Sequence, residues 1–379
     1  MNARKITLTL FTAISFLAIS TQAQVTSAYV HHANQLNITT SQSVLDTIAL
    51  NGNGNLNMLV THNYNPNGAT GTYVDEKLGL RYQSQKWRIF NQDLSAFIDN
   101  TFYNVLIPGP DIYSWKHTSS NSNITQNYTI IDDGRINNNP NAMVFVFDQL
   151  ANYNKEVIGV FYSTGNSKWC IYNQEGSNVD MEAALDFSIV VPKPNADYKA
   201  IIHTADGNNT SNHFTYLNHA DLNNNPDAII FVTQVWNPGG GSGVYNNHNV
   251  GVQYRNNNKW VVYNEDLANM PLGASFNVLI FKNNSIGVEE VELTNQNIKV
   301  FPNPTTAGTN VNLELDAMIN GAVNVDIYSL TGQLVHSELL EKTTDTQLFA
   351  LSTHGLLPGL YVVKIENEGK QGVQKLIIE

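Results

Sequence analysis

Two loops of the chain carry amide, aromatic and imidazole side chains in similar positions. Each loop connects a threonine that ends one apolar run to a glycine near the start of the next. The first loop runs from Thr61 to Gly79 and the second from Thr233 to Gly251, and the two have the same length. Aromatic rings stack on the faces of sugars and amides hydrogen-bond to hydroxyls, so these loops predict a carbohydrate-binding site. The candidate ligand contacts are His62, Asn65 and Tyr73 in the first loop and Trp236, Asn237, Tyr245, Asn246 and His248 in the second.

A structural role for the same loops is the competing interpretation. Trp236 and Tyr245 would then pack the second loop against the protein, and the asparagines would cap turns. The corresponding segment between Phe147 and Gly159 is shorter and lacks a turn of the Asn-Pro-Gly type. A site built on the long loops is therefore expected in two places along the chain and not in the third.

Acidic turns are a second candidate for chemistry. A carboxylate follows a Lys-Trp strand at Asp93, Glu175 and Asp266, and with neighbouring carbonyls Asp93 and Asp266 could bind calcium. Calcium takes about six to eight oxygen ligands, however, and each turn offers a single strong one. A carboxylate that accepts the N–H groups of its own turn is the simpler explanation. We therefore expect no cofactor, with calcium as the alternative.

Signatures of known catalytic sites are missing from the sequence. It contains no His-Glu-x-x-His motif, no pair of cysteines for zinc and no Gly-x-Ser-x-Gly elbow. Because catalytic residues can come together from distant positions, an extracellular hydrolase stays an alternative. A His–carboxylate pair in one deep cleft would favour an enzyme, whereas an open groove lined by aromatic and amide side chains would favour binding.

The composition limits the partners and the means of stabilisation. Only 14% of the residues are charged, and 32 acidic residues face 20 basic ones, so no basic surface for nucleic acid is expected. The one cysteine, Cys170, lies in an apolar run and is expected to be buried. The domains must therefore be stable through hydrophobic cores and not through disulfides.

The elements that carry these residues form three repeated units. Short alternating runs separated by turn residues predict a small β-sandwich or barrel in each unit, at residues 25–110, 111–195 and 196–284. The sequence leaves open whether the units are independent beads or one pseudo-threefold body. Each unit has a first strand with a histidine, a Lys-Trp strand and a closing strand that begins with phenylalanine: His31, Trp87 and Phe102; His117, Trp169 and Phe187; His203, Trp260 and Phe276.

The N-terminal residues 1–23 have the three parts of a secretory signal peptide. A basic start is followed by an apolar run from Ile6 to Ile19 and by small residues, and cleavage is predicted between Ala23 and Gln24. No later run reaches the roughly 18 apolar residues of a spanning helix. The mature chain is therefore expected to lack a transmembrane segment.

A separate module is predicted at residues 298–379, after a linker at 285–297. Alternating apolar residues in Val311–Leu315 and in 323–328 predict strands with one buried face. The residues that mark its entry, its turns and the strand after the last turn are Pro302, Asn303, Pro304, Gly332, Pro358, Gly359 and Tyr361.

This module resembles the type A C-terminal sorting domain of the bacterial type IX secretion system. The matching parts are the Pro-Asn-Pro entry, the Ile-Tyr-Ser-Leu-Thr-Gly-Gln hairpin and the Leu-Pro-Gly-Leu-Tyr-Val-Val-Lys-Ile strand. The resemblance implies a small β-sandwich recognised by the outer-membrane export machinery, a Bacteroidota-type source and, frequently, removal of the domain after transport. The repeats are similar to an uncharacterised repeat domain of exported bacterial proteins, which implies no activity.

The predicted fold class is all-β, with three tandem sandwich- or barrel-like repeats before a C-terminal β-sandwich. The protein is expected to be secreted or attached to the outer cell surface, with the type IX machinery as its partner in export. The leading hypothesis is that the repeats are non-catalytic modules that bind a glycan or another surface ligand. A hydrolase with an unrecognised site and a passive spacer are the alternatives.

Overall fold

The computed structural model describes residues 26–47, 49–174, 179–193, 197–281, 292–293, 298–316, 319, 321–329, 333–367 and 370–379. Regular structure in these ranges is almost entirely strand, with short 3-10 turns such as Pro66–Gly68 and Pro238–Gly240. The predicted all-β class is therefore confirmed. None of the helical turns within these ranges is long and apolar enough to cross a membrane.

Each repeat folds into a three-stranded and a four-stranded antiparallel sheet, in the orders β1-β7-β4 and β2-β3-β6-β5 for the first repeat. Its strands are β1 (Ser27–Ala33), β2 (Ile38–Thr39), β3 (Gln42–Leu45), β4 (Leu59–Asn63), β5 (Leu78–Gln83), β6 (Lys86–Asn91) and β7 (Thr101–Ile107). The second repeat has β8 (Ile112–Thr118), β9 (Ile124–Thr125), β10 (Tyr128–Ile131), β11 (Phe145–Gln149), β12 (Ile158–Ser163), β13 (Lys168–Asn173) and β14 (Asp186–Pro192). The third has β15 (Tyr198–Thr204), β16 (Thr210–Ser211), β17 (Phe214–Tyr216), β18 (Ile229–Gln234), β19 (Val250–Arg255), β20 (Lys259–Asn264) and β21 (Ser275–Phe281).

A tryptophan fills the space between the two sheets of each repeat. The three indole rings are at most 3% exposed, and each donates its N–H to an asparagine carbonyl at 2.7–2.9 Å. These tryptophans therefore stabilise the cores, since a buried indole needs a partner for its N–H. The pairs are Trp87 with Asn53, Trp169 with Asn139 and Trp260 with Asn225.

A hydrogen-bonded histidine network recurs in the three repeats. Histidine Nε2 lies 2.7–2.9 Å from a hydroxyl, which lies 2.9 Å from an asparagine Oδ1. That Oδ1 also accepts a backbone N–H, so the hydroxyl must donate its one proton to the amide and accept the Nε2–H of the histidine. The members are His31, Ser43 and Asn37; His117, Thr129 and Asn123; His203, Thr215 and Asn209.

In the closing strand of the first repeat, the residue equivalent to Phe187 and Phe276 is one position later than the Phe102 that the sequence analysis aligned with them. The first-strand histidines pair with Tyr103, Phe187 and Phe276. Tyr103 is fully buried, whereas Phe102 is half-buried and stacks on His32. Because neighbouring residues of a strand face opposite sides, Tyr103 and not Phe102 is the core equivalent of the two phenylalanines.

The three repeats close into one body around a pseudo-threefold axis. Strand β4 pairs in parallel with β19, β11 pairs in parallel with β5, and β18 contacts β12 through a parallel bridge between Val235 and Val160. Each three-stranded sheet thereby meets the four-stranded sheet of a neighbouring repeat. Leu59, Phe145 and Phe231, at equivalent positions, share one central core. The repeats are therefore one pseudo-threefold body and not independent beads.

The C-terminal module is a sandwich of two sheets, ordered β22-β29-β28-β25-β26 and β23-β24-β27. Its core contains alternating residues from strands of both sheets, such as Val323 and Val325 of one and Val311 and Leu313 of the other. The strands are β22 (Glu292–Leu293), β23 (Ile298–Phe301), β24 (Val311–Leu315), β25 (Gly321–Ser329), β26 (Leu334–Lys342), β27 (Gln347–Leu351), β28 (Gly359–Asn367) and β29 (Lys370–Ile378).

Candidate functional site

Each junction between repeats contains a buried polar side chain that bonds to the neighbouring repeat. This side chain precedes the acidic turn, is at most 3% exposed, and accepts a backbone N–H at 2.8–3.3 Å. Leaving such a group without a partner would cost free energy, so each repeat depends on its neighbour. The pairs are Gln92 with the N–H of Asn154, Gln174 with that of Asn246 and Glu265 with that of Val74.

A glycine near the start of β5, β12 and β19 provides the space for these side chains. A β carbon at Gly251 would lie 2.3 Å from Oε1 of Glu265 and 2.5 Å from the hydroxyl of Tyr263. Gly79 and Gly159 are restricted in the same way by their own glutamine and aromatic neighbours. The close approach of side chains explains why a glycine lies near the start of this strand in every repeat.

The junction between repeats 3 and 1 contains a His–carboxylate pair. Nδ1 of His62 lies 2.6 Å from Oε1 of Glu265 and 2.9 Å from the hydroxyl of Tyr263. His62 and Glu265 are each 3% exposed. Burial and the Glu265 carboxylate raise the pKa of Tyr263 well above 10, so its hydroxyl keeps its proton and donates to Glu265 at 3.0 Å. The sequence interpretation assigned no role to Glu265 or Tyr263.

The equivalent positions at the other two junctions carry different charges. Nζ of Lys77 lies 2.6 Å from Oδ2 of Asp148, and Asn154 donates to Oδ1 at 2.9 Å. Burial raises the pKa of Asp148, and the Lys77 ammonium opposes this shift. In repeat 3 the equivalent residue is Gln234, which donates to the carbonyl of His248 at 2.9 Å. The junctions thus share their geometry but not their electrostatics.

A pocket of about 90 Å³ lies where the three junctions meet. We call it the axial pocket, because Val60, Val146 and Val232 from the three equivalent strands line it. His62 also lines it, and the Nε2 atom of this histidine is buried and has no hydrogen-bond partner within the described part of the chain. Its polar wall consists of His62, Glu76, Lys77, Asp148, Gln234 and Glu265, with Thr61, Thr233 and Asn249.

A tyrosine occupies the same position at every junction, at equal distance before the glycine. The rings of Tyr73, Tyr153 and Tyr245 lie 5.5, 6.1 and 5.8 Å from aromatic rings of the neighbouring repeat. Tyr153 and Tyr245 are 43% and 48% exposed. Sequence reasoning missed Tyr153 because it compared the two long loops only, although the equal spacing to Gly159 is the signal that identifies it.

Asn65 and Asn237, two of the predicted ligand contacts, bond to the backbone of the neighbouring repeat. Asn237 accepts the N–H of Tyr162 at 2.8 Å and donates to its carbonyl at 2.9 Å. Asn65 bonds to Tyr254 in the same way, at 3.1 and 3.0 Å. Both amides therefore anchor their loops, and their role as ligand contacts stays a prediction.

The predicted residues of the third repeat lie on one loop with different exposure. The half-buried ring of Trp236 lies 5.9 Å from that of Tyr245 and 6.4 Å from that of Phe161. Nδ1 of His248 lies 2.7 Å from Oδ2 of Asp266, and both side chains are partly exposed. Asn246 is 2% exposed, and its amide donates to Asn264 at 2.9 Å.

Tyr73 belongs to a separate aromatic cluster at the junction between repeats 3 and 1. Its ring lies 4.8 Å from that of Tyr64 and 6.1 Å from that of His213. Burial raises the pKa of Tyr73. His62 lies behind this cluster in the axial pocket, so the predicted contacts of the first loop are divided between two environments.

The predicted calcium ligands bond to their own turns. Oδ1 of Asp93 accepts the N–H of Ser95 at 2.8 Å, and bonds to Ser95 hold the pKa of this carboxyl below its usual value. Oδ1 of Asp266 accepts the N–H of Ala268 at 3.0 Å. No group of three or more His, Cys, Asp or Glu side chains suited to a metal occurs in the ranges given above. Calcium at Asp93 and Asp266 stays a prediction, and Glu175 lies outside the described residues.

The Pro-Asn-Pro entry of the C-terminal module lies against its last strand. Oδ1 of Asn303 accepts the N–H of Ile377 at 2.9 Å, and its Nδ2 donates to the carbonyl of Lys375. The hydroxyl of Tyr361 donates to the carbonyl of Leu357 at 2.8 Å, across the turn that contains Pro358 and Gly359. Gly332 and the predicted cleavage site at Ala23 and Gln24 lie outside the described residues.

Three overlapping segments, residues 8–107, 96–191 and 159–280, match a family model described as a domain of unknown function (DUF7452). Together they span more than half of the chain. The chain belongs to the DUF7452 family. Residues 299–379 match the secretion system C-terminal sorting domain, which confirms the resemblance to the type IX sorting domain. The DUF7452 protein is therefore secreted or located at the cell surface.

No curated protein matches the DUF7452 chain. Among solved structures, β-glucuronidase from Ruminococcus gnavus is similar over 70% of this chain and 35% of its own, at 10% identity and a TM-score of 0.16. The chain thus spans about 35% of the length of that enzyme. The BSP domain of a biofilm associated protein is similar over 95% of this chain and 68% of its own, at 9% identity and a TM-score of 0.18. TM-scores this low carry no argument about fold or function.

Proposed function

We propose that the three-repeat body of this secreted protein is a non-catalytic module that binds carbohydrate on the surface formed by Trp236 and Tyr245. The exposure of Tyr245 carries this proposal. Its side chain is 48% exposed although its ring lies against those of Trp236 and Tyr172. Aromatic rings that are held in place and still open to solvent are suited to stack on a sugar ring.

Polar groups on this loop and in the neighbouring acidic turn support this proposal. The pair of His248 and Asp266 is partly exposed, with fractions of 27% and 31%, and offers donors and acceptors to sugar hydroxyls. Asn237 holds the loop to Tyr162 through two hydrogen bonds. Because the loop is anchored before a ligand arrives, binding loses less conformational entropy.

A glycan array probed with the full-length protein tests the proposal, with and without calcium. We expect binding, and we expect Tyr245→Ala to weaken it at least about tenfold, or about 1.4 kcal/mol. Tyr153→Ala is the matched control, because Tyr153 has similar exposure and a similar ring contact but no counterpart of Trp236 beside it. Absence of binding to every glycan, or an equal loss in both variants, would refute the proposal.

The calcium arm of the array tests the separate prediction of a metal at the acidic turns. If Asp266 binds calcium, glycan binding or thermal stability rises with calcium in the unmodified protein and not in Asp266→Asn. The same response in both proteins would exclude Asp266 as the ligand. Asp93→Asn provides the corresponding measurement for the first repeat.

An extracellular hydrolase is the second candidate, because His62 and Glu265 form a buried His–carboxylate pair. A carboxylate that holds Nδ1 leaves Nε2 as a base. Nε2 of His62 bonds to no hydroxyl of the described residues, so water is the nucleophile that this pair would activate. Turnover of chromogenic glycosides that is abolished by His62→Gln would favour the hydrolase. A passive spacer would show neither turnover nor glycan binding.

A further inference from the structure

We infer that the axial pocket is a second binding site, which takes the ammonium group of a small aliphatic amine. The site lies at the pseudo-threefold axis, where all three repeats contribute to its wall. It shares no aromatic residue with the surface of Trp236 and Tyr245. The inference therefore does not depend on carbohydrate binding.

The size and lining of the axial pocket limit its ligand to a few atoms. Its volume of about 90 Å³ is smaller than the roughly 150 Å³ of an engineered cavity that binds benzene. About four non-hydrogen atoms therefore fit. Valine side chains from three strands form one part of the wall, and charged and amide side chains form the other. A short alkyl chain with one polar end matches this division.

Carboxylates outnumber cations in the wall of the axial pocket. Asp148 is paired with the Lys77 ammonium and Glu265 bonds to His62, each at 2.6 Å, but a neutral imidazole cancels no charge. The carboxylates of Glu76 and Glu265 are therefore in excess over the one ammonium among the lining residues. Burial and then the carboxylates of Asp93 and Asp75 raise the pKa of Glu76. A positive charge placed here relieves this repulsion, whereas an anion would add to it.

His62 presents a buried acceptor to such a ligand. An ionised carboxylate only accepts hydrogen bonds, so Nδ1 of His62 carries the proton that bonds to Glu265. When the ring is neutral it has this one N–H only, and Nε2 is then a lone pair. Nε2 has no partner among the residues that the structure describes. An unpaired buried polar atom costs about 1–3 kcal/mol. The three N–H groups of an ammonium can bond both to Nε2 and to the Glu76 carboxylate.

Three probes with the same carbon chain test the charge preference: propylammonium, 1-propanol and propionate. Each is titrated against the full-length protein at neutral pH, and binding is followed by saturation-transfer NMR of the probe. We expect propylammonium to bind at least about tenfold more tightly than 1-propanol, and propionate not to bind. Binding of propionate, or equal binding of all three probes, would overturn the inference.

Two variants test the residues of the axial pocket. Glu76→Gln keeps the size of the side chain and is expected to reduce propylammonium binding to the level of 1-propanol. His62→Gln introduces the residue that repeat 3 carries at this position, Gln234, and is expected to weaken propylammonium binding at least about fivefold. Glu314→Gln, in the sorting domain, is the control for net charge. Unchanged binding in Glu76→Gln, or the same loss in Glu314→Gln, would overturn the inference.

Discussion

Acidification from about pH 8 to about pH 5 is expected to destabilise the repeat body through two histidines. Burial lowers the pKa of His117 and His203 from 6.5 to about 4, against the opposing charges of Asp186 and Asp206. The unfolded chain therefore binds protons near pH 6.5 that the folded chain does not bind until about pH 4. Stability is lost as the pH falls through the unfolded pKa, and the loss is complete below the folded pKa.

The expected magnitude follows from the two pKa values. Below pH 6.5, a histidine that stays neutral in the folded state lowers the free energy of unfolding by about 1.4 kcal/mol for each pH unit. At about pH 5 this amounts to about 2 kcal/mol for each histidine and about 4 kcal/mol for both. The structural cause is burial of the two rings. Because Nε2 of His117 and His203 already donates to Thr129 and Thr215, at 2.9 and 2.7 Å, the additional proton must be placed on Nδ1 of a ring that is largely removed from water.

Urea denaturation of the full-length protein at both pH values measures this loss. The double variant His117→Gln and His203→Gln is expected to lose about 4 kcal/mol less than the unmodified protein between the two pH values. His336→Gln, on the sorting domain and outside the network, is expected to behave like the unmodified protein. If the double variant shows the same pH dependence as the unmodified protein, the reasoning about these histidines is wrong.

Three further predictions test the junctions and the core. Gly251→Ala is expected to lower the free energy of unfolding by about 1–3 kcal/mol, because the added methyl group would overlap with Glu265. The control Gly207→Ala has open space around it and is expected to change this free energy by less than about 0.5 kcal/mol. Urea denaturation of both variants measures the difference. Glu265→Ala is expected to cost about 1–3 kcal/mol for each donor that it leaves buried without an acceptor, namely Nδ1–H of His62 and the N–H of Val74. Glu265→Gln is expected to cost less because two junctions already carry an amide there, and equal losses would contradict this. Burial raises the pKa of the Cys170 thiol to about 12, so a thiol reagent at pH 8 is expected to label the protein only after unfolding, and fast labelling of the native protein would show the thiol to be accessible.

Local patterns were sufficient to predict the class of fold and the elements. A few consecutive residues are enough to recognise the alternation in β25, the tryptophan of each Lys-Trp strand and the turn at Pro358 and Gly359. The two faces of a strand and the geometry of a turn are local properties of the chain. The sorting domain was identified from the same kind of information. Local patterns also indicated that Cys170 is buried, which its complete burial confirms.

The site residues were harder to predict because the same residue types serve structural and functional roles. Asn65 and Tyr245 were both predicted ligand contacts, yet the amide of Asn65 bonds to the backbone of Tyr254 while the side chain of Tyr245 is 48% exposed. The pair of His62 and Glu265 joins residues that lie 203 positions apart. No spacing rule connects two such positions, so only the folded chain brings them together.

The sequence by itself was sufficient to predict a signal peptide, to identify the sorting domain and to show that the chain forms strands and repeats three times. It did not determine that the repeats form one body, because the N–H and C=O groups at the edge of a sheet are the same for every residue type. Only the tertiary structure decided which edge covers which: β4 joins β19, and β11 joins β5. That closure creates the axial pocket, and it places Glu265 of the third repeat beside His62 of the first.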